Sequence, residues 1–169
     1  MKRTDLNVTF AGNPIDILGA KVSVGDVAPD FEVLNAKLQP VKLSDYAGNK
    51  VVIAVYPSVD TSVCAAQNRR FNAEADKMDD VVVLSISCDL PFAQARFCAA
   101  EGLNSIITLS DHRTLDFGMK YGFVLEPLRL LARGTIIIDA QGVVQYVEHC
   151  SEVTDEPDYD KAMDVLKSL

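Results

Sequence analysis

Long apolar runs are missing from this chain of 169 residues. None approaches the roughly 20 consecutive apolar residues of a membrane-spanning helix, so a helical membrane protein is excluded. Positive charge is in deficit: 16 Lys and Arg against 24 Asp and Glu leave a formal charge of −8. Such a chain is repelled by nucleic acid and by anionic membrane surfaces, and neither is expected as a partner. Lys2 and Arg3 have no apolar stretch behind them. The N-terminus therefore does not read as a secretory signal, and a cytoplasmic location is the expectation. Cysteine is scarce, at positions 64, 88, 98 and 150, and no C-x-x-C pair occurs. A domain of this size does not need disulfide staples. His112 and His149 stand far from any two cysteines at ligand spacing, so no zinc site is expected. Repeats, low-complexity segments and internal linkers are absent as well.

What is present is ordinary soluble composition, 49% hydrophobic and 24% charged. The length suits one domain, residues 1–169, with a sizeable core. Val8-Thr-Phe10 and Ile15-Asp-Ile17 flank Ala11-Gly-Asn-Pro14 and read as an N-terminal β-hairpin, part of an extension over residues 1–20. Phe31–Leu34 reads as a short strand before a turn-rich stretch that ends at Gly48-Asn49. Val51–Tyr56 and Val81–Ser87 are continuous apolar runs, the mark of strands buried on both faces. Helices are expected from about Ser62 to Met78, from Asp89-Leu-Pro91 to Gly102, and from Thr114 to Tyr121. Ile106–Leu109, Arg133–Ile138 and Val143–Val147 read as strands, the last two joined by the turn Asp139–Gly142. A closing helix follows Pro157-Asp-Tyr159. This order implies an α/β fold, a thioredoxin-like mixed sheet flanked by helices, with the hairpin added at the N-terminus. Fold order alone does not give function.

Cys64 closes the segment Pro57-Ser-Val-Asp-Thr61-Ser-Val-Cys64, between an apolar strand and a helix. A thiol in the first turn of a helix faces unpaired backbone N–H groups and the positive end of the helix dipole. Both favour a thiolate, the nucleophilic form. The plain alternative is core packing, since Cys64 shares a helical face with Phe71, Ala75 and Met78. Thr61 or Asp60 is the expected N-cap. Pro57 ends the strand, where its fixed φ and missing N–H suit a turn. Arg133, after Leu130-Leu-Ala132, reads from the sequence as a surface charge at a strand end.

The pattern P-x-x-x-T-x-x-C from Pro57 to Cys64 resembles the active-site motif of peroxiredoxins, and its context to Asn72 resembles the thiol peroxidase branch. Asp89-Leu-Pro-Phe-Ala-Gln-Ala-Arg-Phe-Cys98 resembles the second-cysteine segment of that branch. Gly25–Phe31, Thr108–Asp111 and Thr154–Tyr159 extend the likeness over nearly the whole chain. The resemblance implies an atypical two-cysteine enzyme that reduces hydrogen peroxide and alkyl hydroperoxides. By that likeness Cys64 is the nucleophile and passes through a sulfenic acid, and Cys98 resolves it as an intrachain disulfide. Thr61 hydrogen-bonds the sulfur and the peroxide, Arg133 reaches both, and Pro57 shields the thiolate from water. The family is recycled by thioredoxin, usually forms homodimers, and needs no metal or bound cofactor.

A magnitude bears on Thr61 and Arg133. A thiol with the ordinary pKa near 8.5 is roughly 3% ionised at pH 7, so lowering it to about 6 gains roughly thirtyfold. Nucleophilicity falls with pKa, which returns about tenfold of that. Ionisation is therefore a small part of catalysis. The larger part is stabilisation of charge on the leaving oxygen by preplaced donors.

Other readings compete. A thioredoxin-like disulfide oxidoreductase would need a C-x-x-C pair, and Ala65, Ala66 and Gln67 follow Cys64 instead. A non-enzymatic thiol redox sensor would form the disulfide yet turn over poorly. Cys88 and Cys150 are rival resolving thiols or simply buried apolar residues. Neither histidine lies in the motif, so a Cys–His hydrolase pair is unsupported.

Overall fold

The computed structural model describes residues 1–169. β1 (Val8–Phe10) and β2 (Asn13–Ile15) pair antiparallel around Ala11 and Gly12. Both turn residues have positive φ, 50° and 81°, as a two-residue hairpin turn requires. This turn is tighter than the expected Ala11–Pro14. Pro14 lies inside β2 opposite Thr9, where its missing N–H is tolerated because β2 is an edge strand. Ile17 leaves the hairpin altogether. It begins β3 (Ile17–Leu18), which joins a separate small sheet described below.

β4 (Glu32–Leu34) and β5 (Pro40–Lys42) pair antiparallel, and a short 3-10 helix spans Leu43–Tyr46. The turn-rich stretch thus also holds an edge strand. Next come β6 (Lys50–Val55), α1 (Ser62–Ala75), β7 (Val81–Ser87), α2 (Pro91–Glu101) and β8 (Ile106–Ser110). α1 stops before the expected Met78. The N–H groups of Lys77 and Met78 turn back to Glu74 and Ala75 at 3.1 and 3.2 Å, a tightened last turn that satisfies the end carbonyls. α3 (Asp116–Tyr121), β9 (Val124–Leu125) and β10 (Leu130–Leu131) follow. The last elements are β11 (Gly134–Ile138), β12 (Val144–His149) and α4 (Tyr159–Lys167). Strands as short as β9 and β10 carry no periodic signal in sequence; they pair as β10-β9-β3.

The main sheet has seven strands in the order β12-β11-β6-β7-β8-β4-β5. β6, β7 and β8 are parallel, and the remaining pairs are antiparallel. The mixed sheet expected from the sequence is therefore present, with the antiparallel hairpin ahead of it. Alternation along β6 feeds two cores. Val51, Ile53 and Val55 pack with Phe31, Phe117 and Tyr121 on one face. Val52 and Ala54 pack with Phe71, Ala162, Met163 and Leu166 on the other. Burial on both faces explains the unbroken apolar run, each large aliphatic side chain contributing roughly 1.5–3 kcal/mol. No helix is long and apolar enough to cross a membrane.

Two features of this sheet place the site. The parallel β6 delivers Tyr56 and Pro57 at its C-terminal end, just before α1. β11 runs antiparallel to β6 with Gly134 opposite Val55. The residue before β11, Arg133, therefore emerges at the same end of the sheet as the residues that lead to Cys64.

Candidate active site

Thr61 is the N-cap of α1, with extended backbone, and its Oγ1 accepts the N–H of Cys64 at 3.3 Å. That geometry seats Cys64 in the first turn, as expected from the sequence. The same hydroxyl lies 2.7 Å from Cys64 Sγ, toward which it donates. Cys64 is wholly buried and packs in a small cluster with Tyr56 and Val59, against which Phe97 also rests. Pro57 is buried just past the end of β6, where it leaves no backbone N–H to be satisfied.

Arg133 is not the surface charge that its sequence position suggests. It is 2% exposed, and its guanidinium nitrogens are divided among three acceptors. Nη2 donates to Cys64 Sγ at 3.2 Å, Nη1 to Gln67 Oε1 at 2.8 Å, and Nε to the Val153 carbonyl at 2.7 Å. No carboxylate pairs with it, although ion pairs are common elsewhere on the chain. A buried cation without a counter-ion is costly. Its Nη2 and the Thr61 hydroxyl both point at the Cys64 sulfur, so negative charge developing there or on an atom beside it would meet two donors.

Gln67 was not singled out by sequence reasoning. It lies one turn after Cys64, is fully buried, and donates to the carbonyls of Val55 and Gly134 at 3.3 and 3.5 Å. An uncharged polar residue on the apolar face that carries Cys64 and Phe71 was the available signal. Asn68 is likewise buried and donates to the Cys64 carbonyl at 2.9 Å. Gly134 is required by contact: a Cβ there would fall 1.9 Å from the Glu148 carbonyl.

Asp89 was also missed as a functional residue. Its carboxylate accepts from Ser58 Oγ at 2.7 Å, Val59 N–H at 2.9 Å and Ser87 Oγ at 2.6 Å. It thereby ties the loop before Cys64 to the entrance of α2, the helix that carries Cys98.

Cys98 is half-buried and packs on the cluster that holds Phe71, while Cys64 sits in its own small cluster; Phe97 touches both. Its thiol is pushed up by burial, partly offset by a hydrogen bond with Thr108. All four cysteines are free thiols. Burial and the charges of Asp111 and Asp89 push Cys88 up to about 12. Burial and the Glu148 carboxylate do the same for Cys150, also to about 12. Neither sulfur is held by a hydroxyl or guanidinium donor as that of Cys64 is. His149 is stacked on Phe123 at 4.0 Å and is held down to about 4 by burial. It does not contact the Cys64 sulfur, whose hydrogen-bond partners are Thr61 and Arg133.

The site therefore unites Thr61, Cys64 and Arg133 around one sulfur, with Pro57 buried beside the strand end and Cys98 on the next helix. Comparison with known proteins agrees in kind. Residues 23–163 match the Redoxin family. A thiol peroxidase of Oceanobacillus iheyensis is 52% identical over 160 residues, covering 95% of this chain and 98% of the relative. A thiol peroxidase of Bacillus subtilis is 49% identical over 162 residues, covering 96% and 97% respectively. Among solved structures, a peroxiredoxin-like protein from Aquifex aeolicus is similar with a TM-score of 0.90, at 36% identity and 96% coverage of both chains. A thiol peroxidase from Chromobacterium violaceum is similar with a TM-score of 0.86, at 25% identity and 98% coverage of both.

Proposed function

This chain belongs to the Redoxin family and is a thiol-dependent peroxidase, and on that basis we propose that Cys64 is its nucleophile and Cys98 its resolving thiol. The Cys64 thiolate attacks the terminal oxygen of a hydroperoxide. The S–O bond forms as the O–O bond breaks, the sulfur is oxidised to a sulfenic acid, and the peroxide is reduced to an alkoxide or hydroxide that takes up a proton. Charge grows on the leaving oxygen during that step. Arg133 and Thr61, which already donate to the sulfur, are positioned to share their protons with it. The Cys98 thiol then attacks the sulfenic sulfur, giving a disulfide and water. A dithiol reductant, thioredoxin by family likeness, returns both thiols.

The observation that carries this reading is the buried guanidinium of Arg133, without a carboxylate, 3.2 Å from Cys64 Sγ. Hydrogen peroxide and alkyl hydroperoxides are the proposed substrates, and a homodimer in the cytoplasm is the proposed setting, all from the family likeness. Residues 1–169 are taken as one functional domain. The pairing of β3 with β9 and of Thr9 with Glu152 supports this, because both join the N-terminal residues to later parts of the chain.

The test is peroxide consumption with thioredoxin as reductant. Cys64→Ser is expected to abolish turnover. Cys98→Ser is expected to permit one round of sulfenic acid formation and then stall with that reductant. Substantial turnover by Cys64→Ser would remove the nucleophile from the scheme, and full turnover by Cys98→Ser would remove the resolving thiol.

A further inference from the structure

The reaction scheme gives no task to the N-terminal hairpin or to the irregular segment after β12. Arg133 connects them to it. Of its three acceptors, Gln67 is locked inside the core by two carbonyls. Val153, whose carbonyl takes Nε at 2.7 Å, sits in a segment with no regular structure of its own. What holds that segment is the hairpin. Thr9 N–H donates to the Ser151 carbonyl and Val153 N–H to the Thr9 carbonyl, both at 2.8 Å.

Glu152 locks the junction. Its carboxylate accepts Ala11 N–H at 2.8 Å and Gly12 N–H at 3.0 Å, the two amides of the hairpin turn. It also accepts Thr9 Oγ1 at 2.5 Å, Thr154 N–H at 3.0 Å and Thr154 Oγ1 at 2.7 Å. The positive φ of Ala11 and Gly12 aims both turn amides at one point, which an anion fills. Hydrogen bonds from Thr9 and Thr154 hold the Glu152 carboxyl well below the usual carboxylate range. It is therefore ionised wherever the enzyme works.

We propose that Glu152 and the N-terminal hairpin are positioning elements for Arg133, setting the Val153 carbonyl so that the guanidinium presents Nη2 to the Cys64 sulfur. This rests on the reading of Cys64 and Arg133 given above. The Nε–carbonyl bond fixes rotation of the guanidinium plane. Without it Nη1 keeps Gln67, but Nη2 is free to swing away from the sulfur and the incoming peroxide. Small misplacements of a catalytic donor are expensive, up to about a hundredfold in rate.

The experiment is a double-mutant cycle read by rapid-mixing oxidation of Cys64 with hydrogen peroxide. Glu152→Gln keeps the size of the side chain but turns a donor toward donors. It is expected to slow oxidation by about tenfold. In an Arg133→Met background the same change is expected to cost nothing further, because a residue acting through Arg133 has nothing left to position. Thr9→Val, which keeps the backbone pairing and removes one hydroxyl, is expected to give a smaller loss with the same non-additivity. It carries the test alone if Glu152→Gln does not fold by circular dichroism. Wild-type rates in the folded variants, or losses that multiply with that of Arg133→Met, would overturn the proposal. Arg133→Met oxidising at the wild-type rate would instead overturn the underlying reading of Arg133.

Discussion

Arg133 spends its donors on a sulfur, an amide and a carbonyl, and on no carboxylate. Its role can be separated from simple ionisation of the thiol. Arg133→Met is expected to slow Cys64 oxidation at every pH, including alkaline pH where any thiol is ionised. Rapid-mixing rates across pH would check this; a deficit that vanished at high pH would confine Arg133 to ionising the sulfur. The remaining cysteines provide the contrast. Burial holds Cys88 and Cys150 as neutral thiols, so Cys88→Ser and Cys150→Ser are expected to retain most of the steady-state rate. Gln67, by contrast, accepts from a buried charged donor. Gln67→Leu leaves that donor unpaired and is expected to cost about 1–3 kcal/mol of stability, measured by denaturant unfolding, as well as activity.

At the scale of the elements, the chemistry conflicts with the packing. Cys64 is sealed in the first turn of α1, and Cys98 lies in α2 against the cluster around Phe71. A disulfide needs their Cα atoms within about 7 Å. The first turns of α1, the segment around Cys98, or both are expected to open during each cycle, as segments of low local stability can. Ala99, Ala100 and Gly102 after Cys98 leave little side-chain packing to break. Hydrogen exchange is expected to rise in one or both segments on oxidation; unchanged protection with the disulfide confirmed by mass spectrometry would exclude the idea. Asp89 opposes the opening, because Ser58 and Val59 hang on its carboxylate. Ser58→Ala removes one of these bonds and is expected to speed disulfide formation by up to about tenfold, followed by acid quench and mass spectrometry.

Across the whole molecule, two buried titratable groups pull stability in opposite directions. Burial lowers His149 from 6.5 to about 4. Between those values the unfolded chain binds the proton and the folded one does not, so stability falls as pH drops from 6.5 to 4. Burial raises Asp111 from 3.8 to about 6. There the folded chain binds the extra proton, so that contribution grows as pH falls through 6 and is lost above it. His149→Phe preserves a ring on Phe123 and removes the first effect, together with a hydrogen bond to the Gly122 carbonyl whose loss does not vary with pH. Relative to this variant, the wild type is expected to lose on the order of 3 kcal/mol between pH 6.5 and 4, measured by chemical denaturation at each pH. A constant difference between the two would show that His149 titrates alike in the folded and unfolded chain.

Much of this was readable before any coordinates, and the reason is locality. The apolar runs of β6 and β7, the proline at the start of α2 and the cap-to-thiol spacing of Thr61 and Cys64 depend on neighbours within a few residues. Short-range sterics and hydrogen bonding act on that range. The likeness of Pro57–Cys64 to a family motif, rather than residue types alone, singled out Cys64, whose place on an apolar helix face otherwise reads as core packing. The remainder required folding. β9 and β10 exist only because each finds a partner strand, and the hairpin closes on two residues because Ala11 and Gly12 accept positive φ. By residue type Arg133 reads as a surface charge, and only the family likeness set it at the sulfur; in the fold, the antiparallel pairing of β11 with β6 brings it to Cys64, 69 positions away. Gln67, Asp89 and Glu152 acquire roles in the same way, from partners contributed by other strands and loops. A hydrogen bond depends on distance and angle in space, and for residues far apart in the chain only the packed sheet supplies them.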